Sequence, residues 1–267
     1  NNGLYYSYDV AEGWNKAKKL GNTGIYAVTV SPDSKCIIYT SKRNEVHKST
    51  DCNRTWEPIY YDNEAETRIH TIAVDHYDTS QVYIGTTRGE IIKSTDGGES
   101  WRTVKRFDTA VEEIEVSPSD SRKLFAATRD KGLYRSDNEG EEWTELEKNM
   151  EEFDDSKEYR DLVVSPAEKG LVLLATNYGL LRSHNGGQTW ERIELITPEE
   201  EATINSIAVN PQDAQEIYYV TDTTFYRSKD GGESWSTREL PTSRSGEEIL
   251  IDFEKPNIIY LGVNKKN

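Results

Sequence analysis

Short runs in which apolar and polar residues alternate recur along the whole chain, each closed by a polar turn. Ile69-His70-Thr71-Ile72-Ala73-Val74 and Ile204-Asn205-Ser206-Ile207-Ala208-Val209 are two of them, and their period of two predicts half-buried strands. The turn that follows is Ser-Pro, Asp-His or Asn-Pro, and a β-rich run such as Gln81-Val82-Tyr83-Ile84-Gly85 comes next. A second turn, Thr87-Arg88-Gly89, leads into Glu90-Ile91-Ile92-Lys93. A polar segment ending in tryptophan then joins this third strand to a fourth. Each unit therefore reads as four short strands, A to D. Helical periodicity is almost absent, and the Glu-rich stretch from Glu145 to Lys157 holds a turn or two at most.

The tryptophans set the period. All six (Trp14, Trp56, Trp101, Trp143, Trp190 and Trp235) fall 42 to 47 residues apart, each closing an eight-residue segment. Five copies are clear: STDCNRTW (49–56), STDGGESW (94–101), SDNEGEEW (136–143), SHNGGQTW (183–190) and SKDGGESW (228–235). SYDVAEGW at 7–14 is a worn sixth, with Ala11 where the others carry Gly or Asn. Four-stranded units of this length predict propeller blades. The last 22 residues supply strands A and B alone, and the opening residues supply C and D alone. The expected fold is all-β: a six-bladed β-propeller of four-stranded antiparallel blades, its ring closed by a composite blade from both termini. Closure leaves no exposed sheet edge. The expected boundaries are one domain over 1–267, with blades near 21–62, 63–106, 107–148, 149–196 and 197–245, and 1–20 plus 246–267 as the composite.

The segment Ser-x-Asp-x-Gly-x-Thr-Trp resembles the Asp-box, or BNR repeat, and the chain resembles the β-propeller superfamily that carries it. Turn-making explains its residues. Asp51, Asp96, Asn138, Asn185 and Asp230 can accept bonds from the N–H groups of their own turn. The fifth position needs a positive φ, which suits Gly98, Gly140, Gly187 and Gly232 and is tolerated by Asn53. Tryptophan at the eighth folds back over the hairpin. The resemblance implies that the boxes lie on the periphery, so a ring of catalytic or calcium-binding carboxylates is not expected. Lys48, Lys93, Arg135, Arg182 and Arg227 all stand just before a box, and their repetition marks them as architecture, expected to pair with neighbouring acids.

Thirty-two basic against 48 acidic side chains give a net charge of −16. That repels phosphate, so nucleic acid is not an expected partner. No apolar run approaches the length of a membrane-spanning helix, so membrane insertion is not expected either. The chain opens without methionine, which reads as a processed chain or an excised domain. Cys36 and Cys52 both map near the open end of a B–C hairpin, which leaves a disulfide or two free thiols open; the disulfide would favour an extracytoplasmic or secreted location. The four histidines have no metal-ligand spacing, so no metal and no cofactor is expected. Asn53-Arg54-Thr55 matches a glycosylation acceptor inside a tight turn, and reads as fortuitous.

Aligning the six A strands on Val30, Val74, Val116, Val164, Val209 and Ile251 exposes a contrast. Two residues earlier the chain is always apolar, from Val28 to Ile249, as a core ring requires. Three and four residues earlier it is chemically diverse: Tyr26, His70, Glu112, Arg160, Asn205 and Glu247, then Ala27, Thr71, Glu113, Asp161, Ser206 and Glu248. Propellers usually bind at the mouth of the central channel. Tyr26, His70, Glu112, Glu113, Arg160, Asp161, Asn205, Glu247 and Glu248 are accordingly the candidate binding residues.

Sialidases share the six-bladed Asp-box fold, and that resemblance implies a tyrosine nucleophile, an acid/base carboxyl and three arginines gripping an anionic sugar. Glycosidases need paired groups because an oxocarbenium-like transition state must be both protonated and stabilised. Here the inner strands carry only Arg68 and Arg160, and Arg68-Ile69-His70 stands where an Arg-Ile-Pro motif is wanted. The chain more closely resembles compact BNR-repeat propellers such as the photosystem II assembly factors and the sortilin-type propellers. Those families have seven and ten blades, and this chain counts six, so no ligand residues carry over. The expectation is a non-catalytic binding or scaffold module for another protein. A carbohydrate-binding propeller, with Tyr60, Tyr61, Tyr159, Tyr178 or Tyr226 stacking on sugars, is the alternative, and a sialidase-like hydrolase a third.

Overall fold

A computed structural model describes residues 4–6, 15–21, 24–153, 156–197 and 203–264. These form 24 strands and two short 3-10 turns, Lys18–Leu20 and Glu147–Met150. Five antiparallel sheets have four strands each. In chain order they are β3 (Ala27–Ser31) to β6 (Glu57–Tyr61), β7 (Ile69–Val74) to β10 (Arg102–Arg106), β11 (Val111–Val116) to β14 (Thr144–Glu145), β15 (Tyr159–Val164) to β18 (Glu191–Ile193), and β19 (Ser206–Asn210) to β22 (Ser236–Glu239). Within each, neighbours in sequence are neighbours in the sheet, as in a propeller blade. Two further sheets have two strands, β1 (Tyr5–Tyr6) with β2 (Asn15–Lys16), and β23 (Ser245–Ile251) with β24 (Ile259–Asn264). Five whole blades with these two half-sheets fit a count of six. The first box, including Trp14, lies outside the described residues.

The chain falls into two compact units that divide within the third four-stranded sheet. In the first, Tyr39, Val46, Ile69, Ile72, Val74, Val82, Ile84 and Ile92 make one core between the first two sheets. In the second, Leu171, Leu173, Ala175 and Leu180 pack on Ile204, Ile207 and Val209, and Ala208, Tyr218 and Val220 pack on Ile249 and Ile251. In β7, β19 and β23 the apolar pair that ends the A strand packs backward onto the preceding sheet. Val28 and Val30 depart from it, 52% and 47% exposed, because no full sheet precedes β3 in its unit. The core ring read from the sequence therefore holds in five strands and fails in β3.

The boxes are built as their residues require. The third-position side chain of all five accepts the seventh-position N–H, as in Thr55 to Asp51 Oδ1 (2.8 Å) and Glu142 to Asn138 Oδ1 (2.8 Å). The hydroxyl of the same seventh residue donates to the other carboxylate oxygen of Asp51, Asp96 and Asp230. Together they hold these carboxyls down at about 2, the N–H leading at Asp51 and the hydroxyl at Asp96 and Asp230. The fifth position has positive φ throughout, and so does the fourth, where Cys52 (57°) and Glu139 (60°) adopt it as well as glycine. Its N–H bonds back to the start of strand B in every case, from Gly97 to the Ser80 carbonyl at 2.8 Å and from Cys52 to the Cys36 carbonyl at 3.1 Å. The Cys36–Cys52 disulfide is formed. It reinforces a bridge that other blades make with one hydrogen bond. Asn53 is buried and accepts the Trp56 indole N–H at 2.7 Å, so it is no glycan acceptor.

Three contacts join successive blades. The cation before each box donates to the fourth-position carbonyl of the next box: Lys48 to Gly97 (2.7 Å), Lys93 to Glu139 (3.1 Å), Arg135 to Gly186 (2.8 Å) and Arg182 to Gly231 (2.6 Å). Carbonyls are thus the shared partners, and Lys93, Arg182 and Arg227 also pair with an acid, Glu139, Glu191 and Glu216 in turn. Arg227, the last, turns to Glu216 within its own blade. Second, the fifth-position glycine sits on an apolar side chain of the preceding D strand. A Cβ on Gly98, Gly187 or Gly232 would lie 2.4–2.5 Å from Ile59, Leu146 or Ile193. Third, Trp101 and Trp235 donate their indole N–H to carbonyls of the same strand, at Ile59 (3.0 Å) and Glu194 (2.9 Å). Trp190 has no such acceptor, because the third blade's D strand stops after two residues and turns into the 3-10 segment.

Candidate functional site

Polar residues at the start of the A strands divide into two sets by the direction the backbone gives them. Three of these strands bulge, with Ile69/Thr71, Tyr159/Asp161 and Gly246/Glu248 as successive paired residues. The residues so displaced are His70, Arg160 and Glu247. A bulge leaves its extra residue out of the ladder and re-aims the side chain. Alternation alone does not reveal it, since it breaks the period only at the strand's first turn.

In the first unit three candidates form a line across adjacent blades. Tyr26, 46% exposed, stacks on His70 with ring centroids 6.1 Å apart and an interplanar angle of 16°. The His70 Nδ1 lies 2.8 Å from Glu112 Oε2. Glu113 follows on β11, part-buried. Along this line the imidazole stands between an aromatic face and a carboxylate.

In the second unit the candidates are spent differently. Arg160 is exposed and its Nε donates to Asn177 Oδ1 at 2.7 Å. Asn205 donates to Asp222 Oδ1 (3.0 Å) and to the Gly246 carbonyl of the next sheet (2.7 Å). Asp161 accepts from two backbone N–H groups, Leu162 on Oδ1 (2.9 Å) and Ile207 of the next blade on Oδ2 (2.6 Å). Thr71 Oγ1 and Ser206 Oγ accept the equivalent bonds from Ile114 (3.2 Å) and Ile249 (3.1 Å). The position three before the anchor is therefore an inter-blade staple wherever it carries a side-chain acceptor of the right length. Nothing but that repeated register in the alignment could have announced it.

Two carboxyls here are strongly perturbed. Burial raises Asp161 to about 6 against the opposing pull of its N–H donors. Glu248 keeps contact with solvent, yet protein crowding and then the Asp161 charge push it up to about 7. Like charges that share a site cannot both ionise freely. Glu247 is exposed. Among the described residues no three His, Cys, Asp or Glu side chains are grouped to hold a metal, and no helix is long and apolar enough to cross a membrane. Of the tyrosines read as surface platforms, Tyr226 is buried, stacked on Tyr219 at 4.1 Å.

Repeated boxes, each latched to the next by a cation on a carbonyl, define an Asp-box β-propeller. The family model described as Sortilin, neurotensin receptor 3 (Sortilin-Vps10) matches residues 178–267. Among solved structures, the GH74 enzyme of Niastella koreensis superposes with a TM-score of 0.80 at 16% identity, over 97% of this chain and 48% of that one. The GH74 xyloglucanase of Xanthomonas campestris gives 0.77 at 16% identity, over 98% and 47%. YCF48 from Cyanidioschyzon merolae gives 0.66 at 13% identity, over 90% and 79%. The chain thus spans about half the length of the GH74 enzymes it resembles. No curated protein sequence matches it. The fold is that of a β-propeller.

Proposed function

We propose that this propeller is a non-catalytic binding module, and that the line Tyr26–His70–Glu112 recognises a protein segment bearing a lysine or arginine. One observation carries the reading: the candidate side chains are already committed to holding backbone and neighbours in place. Asp161, one of the two carboxyls whose titration is pushed up, uses both oxygens as acceptors of N–H groups. A general acid must give its proton to a substrate at hydrogen-bond distance, and a group engaged twice by its own scaffold is poorly placed for that. The exposed Tyr26 ring and the Glu112 carboxylate flank His70 at the two ends of the line, and each is a group that attracts a cation. The charge of −16 speeds the approach of such a partner.

A photo-crosslinking residue in place of Tyr26, used in extract from the native source, tests this. One protein captured reproducibly, through a basic segment, and lost in Glu112→Gln, is the expected result. Turnover of an aryl sialoside or a β-glucan that disappears in Glu248→Gln would overturn it in favour of a hydrolase.

A further inference from the structure

In the second unit two turns of the fourth four-stranded sheet are tied together twice. The turn between β15 and β16 carries Glu168 and Gly170, and the box between β17 (Leu180–Ser183) and β18 carries His184, Asn185 and Gly186. The Gly186 N–H donates to the Gly170 carbonyl at 2.8 Å, the bridge that the other boxes also make. Beside it His184 Nδ1 lies 2.7 Å from Glu168 Oε1, so a side-chain clip spans the same two turns. Gly170 has a φ of +88°, and a Cβ there would stand 2.8 Å from the His184 carbonyl oxygen. The turns are thus in close contact at this point.

Asn185 is the reactive member of this group. Its Oδ1 accepts the Thr189 N–H and the Ser183 hydroxyl, both at 2.9 Å. Two donors on one carbonyl oxygen stabilise the negative charge that develops there when a nucleophile attacks Cγ. The main-chain nitrogen of the next residue can close a five-membered ring on that carbon, and Gly186 brings no Cβ to hinder it. Asp96-Gly97 and Asp230-Gly231 share this register, but their carboxyls are held down at about 2, and an ionised carboxylate resists attack. Asn185 carries a neutral amide and is exposed to water. The electrophile is therefore prepared, while the Gly170 carbonyl withholds the nucleophile.

We propose that Asn185-Gly186 is a self-modification site, kept closed by the Gly170 bridge and the His184–Glu168 clip. When the turns part, the Gly186 nitrogen gives up its proton and bonds to Asn185 Cγ. The bond from Cγ to the side-chain nitrogen breaks, ammonia leaves with that proton, and a succinimide remains. Water then opens the ring. Breaking the Cγ–N bond leaves an aspartate in normal linkage, and breaking the other leaves an isoaspartate, with one more carbon in the main chain. An aspartate suits the box. Asn185 Nδ2 donates to Thr189 Oγ1 at 2.8 Å, and that hydroxyl need only turn round to donate, as those of Thr55, Ser100 and Ser234 do in their boxes. An isoaspartate displaces Gly186, whose carbonyl receives the Arg135 latch, and so undoes that junction. The site shares no residue with Tyr26–His70–Glu112, so the two readings stand or fall separately.

The test incubates the full chain at pH 8 and follows conversion of the peptide that holds Asn185 by mass spectrometry, with isoaspartate read by enzymatic methylation. Asn2-Gly3, the other Asn-Gly pair of the sequence, lies outside the described residues and is scored on its own peptide. A synthetic SHNGGQTW peptide is the open reference. The native chain is expected to convert roughly thirtyfold more slowly than that peptide, as two closed hydrogen bonds require. Glu168→Ala removes the clip and should quicken conversion about fivefold, with hydrogen exchange at the Gly186 amide rising in proportion. Gly170→Ala, which pushes the turns apart, should quicken both. Asn185→Asp supplies the normally linked product and should keep native stability. Conversion as fast in the native chain as in the peptide, a Glu168→Ala chain no faster than native, or quicker Gly186 exchange without quicker conversion would each overturn the proposal.

Discussion

Asp161→Asn should make the propeller more stable at pH 8 and change it little, or for the worse, near pH 4. In the folded state this carboxyl titrates at about 6, against 3.8 for an ordinary aspartate. The native chain therefore keeps a proton that the unfolded chain has lost between those values. Stability falls as pH rises through that window, and the whole cost is present above pH 6. A displacement of about two pK units corresponds to roughly 3 kcal/mol. Asparagine removes the charge and keeps one acceptor for the Ile207 N–H. It gives up the second bond, from Leu162, at about 1 kcal/mol. The net expectation is a gain of about 2 kcal/mol at pH 8 and a loss of about 1 kcal/mol near pH 4. Glu248 should titrate lower in the variant, since the Asp161 charge is one of the two causes that raise it. Urea denaturation of both chains across this range reads the difference directly. Parallel curves, with the variant displaced by one constant amount, would show that the Asp161 carboxylate is not destabilised by its surroundings and would refute the reasoning.

Gly187→Ala should cost about 1–3 kcal/mol, because the new methyl meets Leu146 Cδ1 at 2.5 Å. Gly21→Ala, with positive φ and nothing within 4 Å, should cost less in the same urea titration and so isolates strain from crowding. Lys93→Met takes one of two side-chain donors from the Glu139 carbonyl, leaving the Tyr83 hydroxyl at 3.2 Å, and should cost about 1 kcal/mol. Hydrogen exchange should then quicken in 136–143 and not in 49–56. Reducing Cys36–Cys52 should lower stability by about 3 kcal/mol while near-ultraviolet circular dichroism stays native, since the Cys52 N–H bond to Cys36 remains.

Much of this architecture was legible because it is repeated. Six tryptophans at a fixed period reveal blades more surely than any single strand does. The alignment of Cys36 with Ser80 and Cys52 with Gly97 brought the two cysteines together but left a disulfide and two free thiols open; the bond forms because those positions share one backbone bridge. What stayed hidden lies in contacts between repeats. Lys48 and its equivalents were recognised as structural, but a lysine's reach to a carbonyl 49 residues away leaves no trace in composition. The fifth-position glycines looked like turn residues alone, although Gly98, Gly187 and Gly232 also make room for a side chain of the preceding blade. Asp161 looked like a ligand-binding carboxylate because its true partner is a main-chain N–H, which every residue but proline has. The bulges at His70, Arg160 and Glu247 were invisible for a similar reason, being set by strand pairing and not by residue type.

The cation-to-carbonyl latch always runs forward, from one box to the next, and asks of its acceptor only a main-chain oxygen. Any copy of the unit can follow any other without a matching side chain having to arise. Modularity of this kind lets gene duplication or deletion lengthen or shorten the series one whole unit at a time, with each junction already complete when the new copy arrives. It also frees the surface of each repeat to diverge, since the residues that hold neighbours together do not depend on what the neighbour's surface has become.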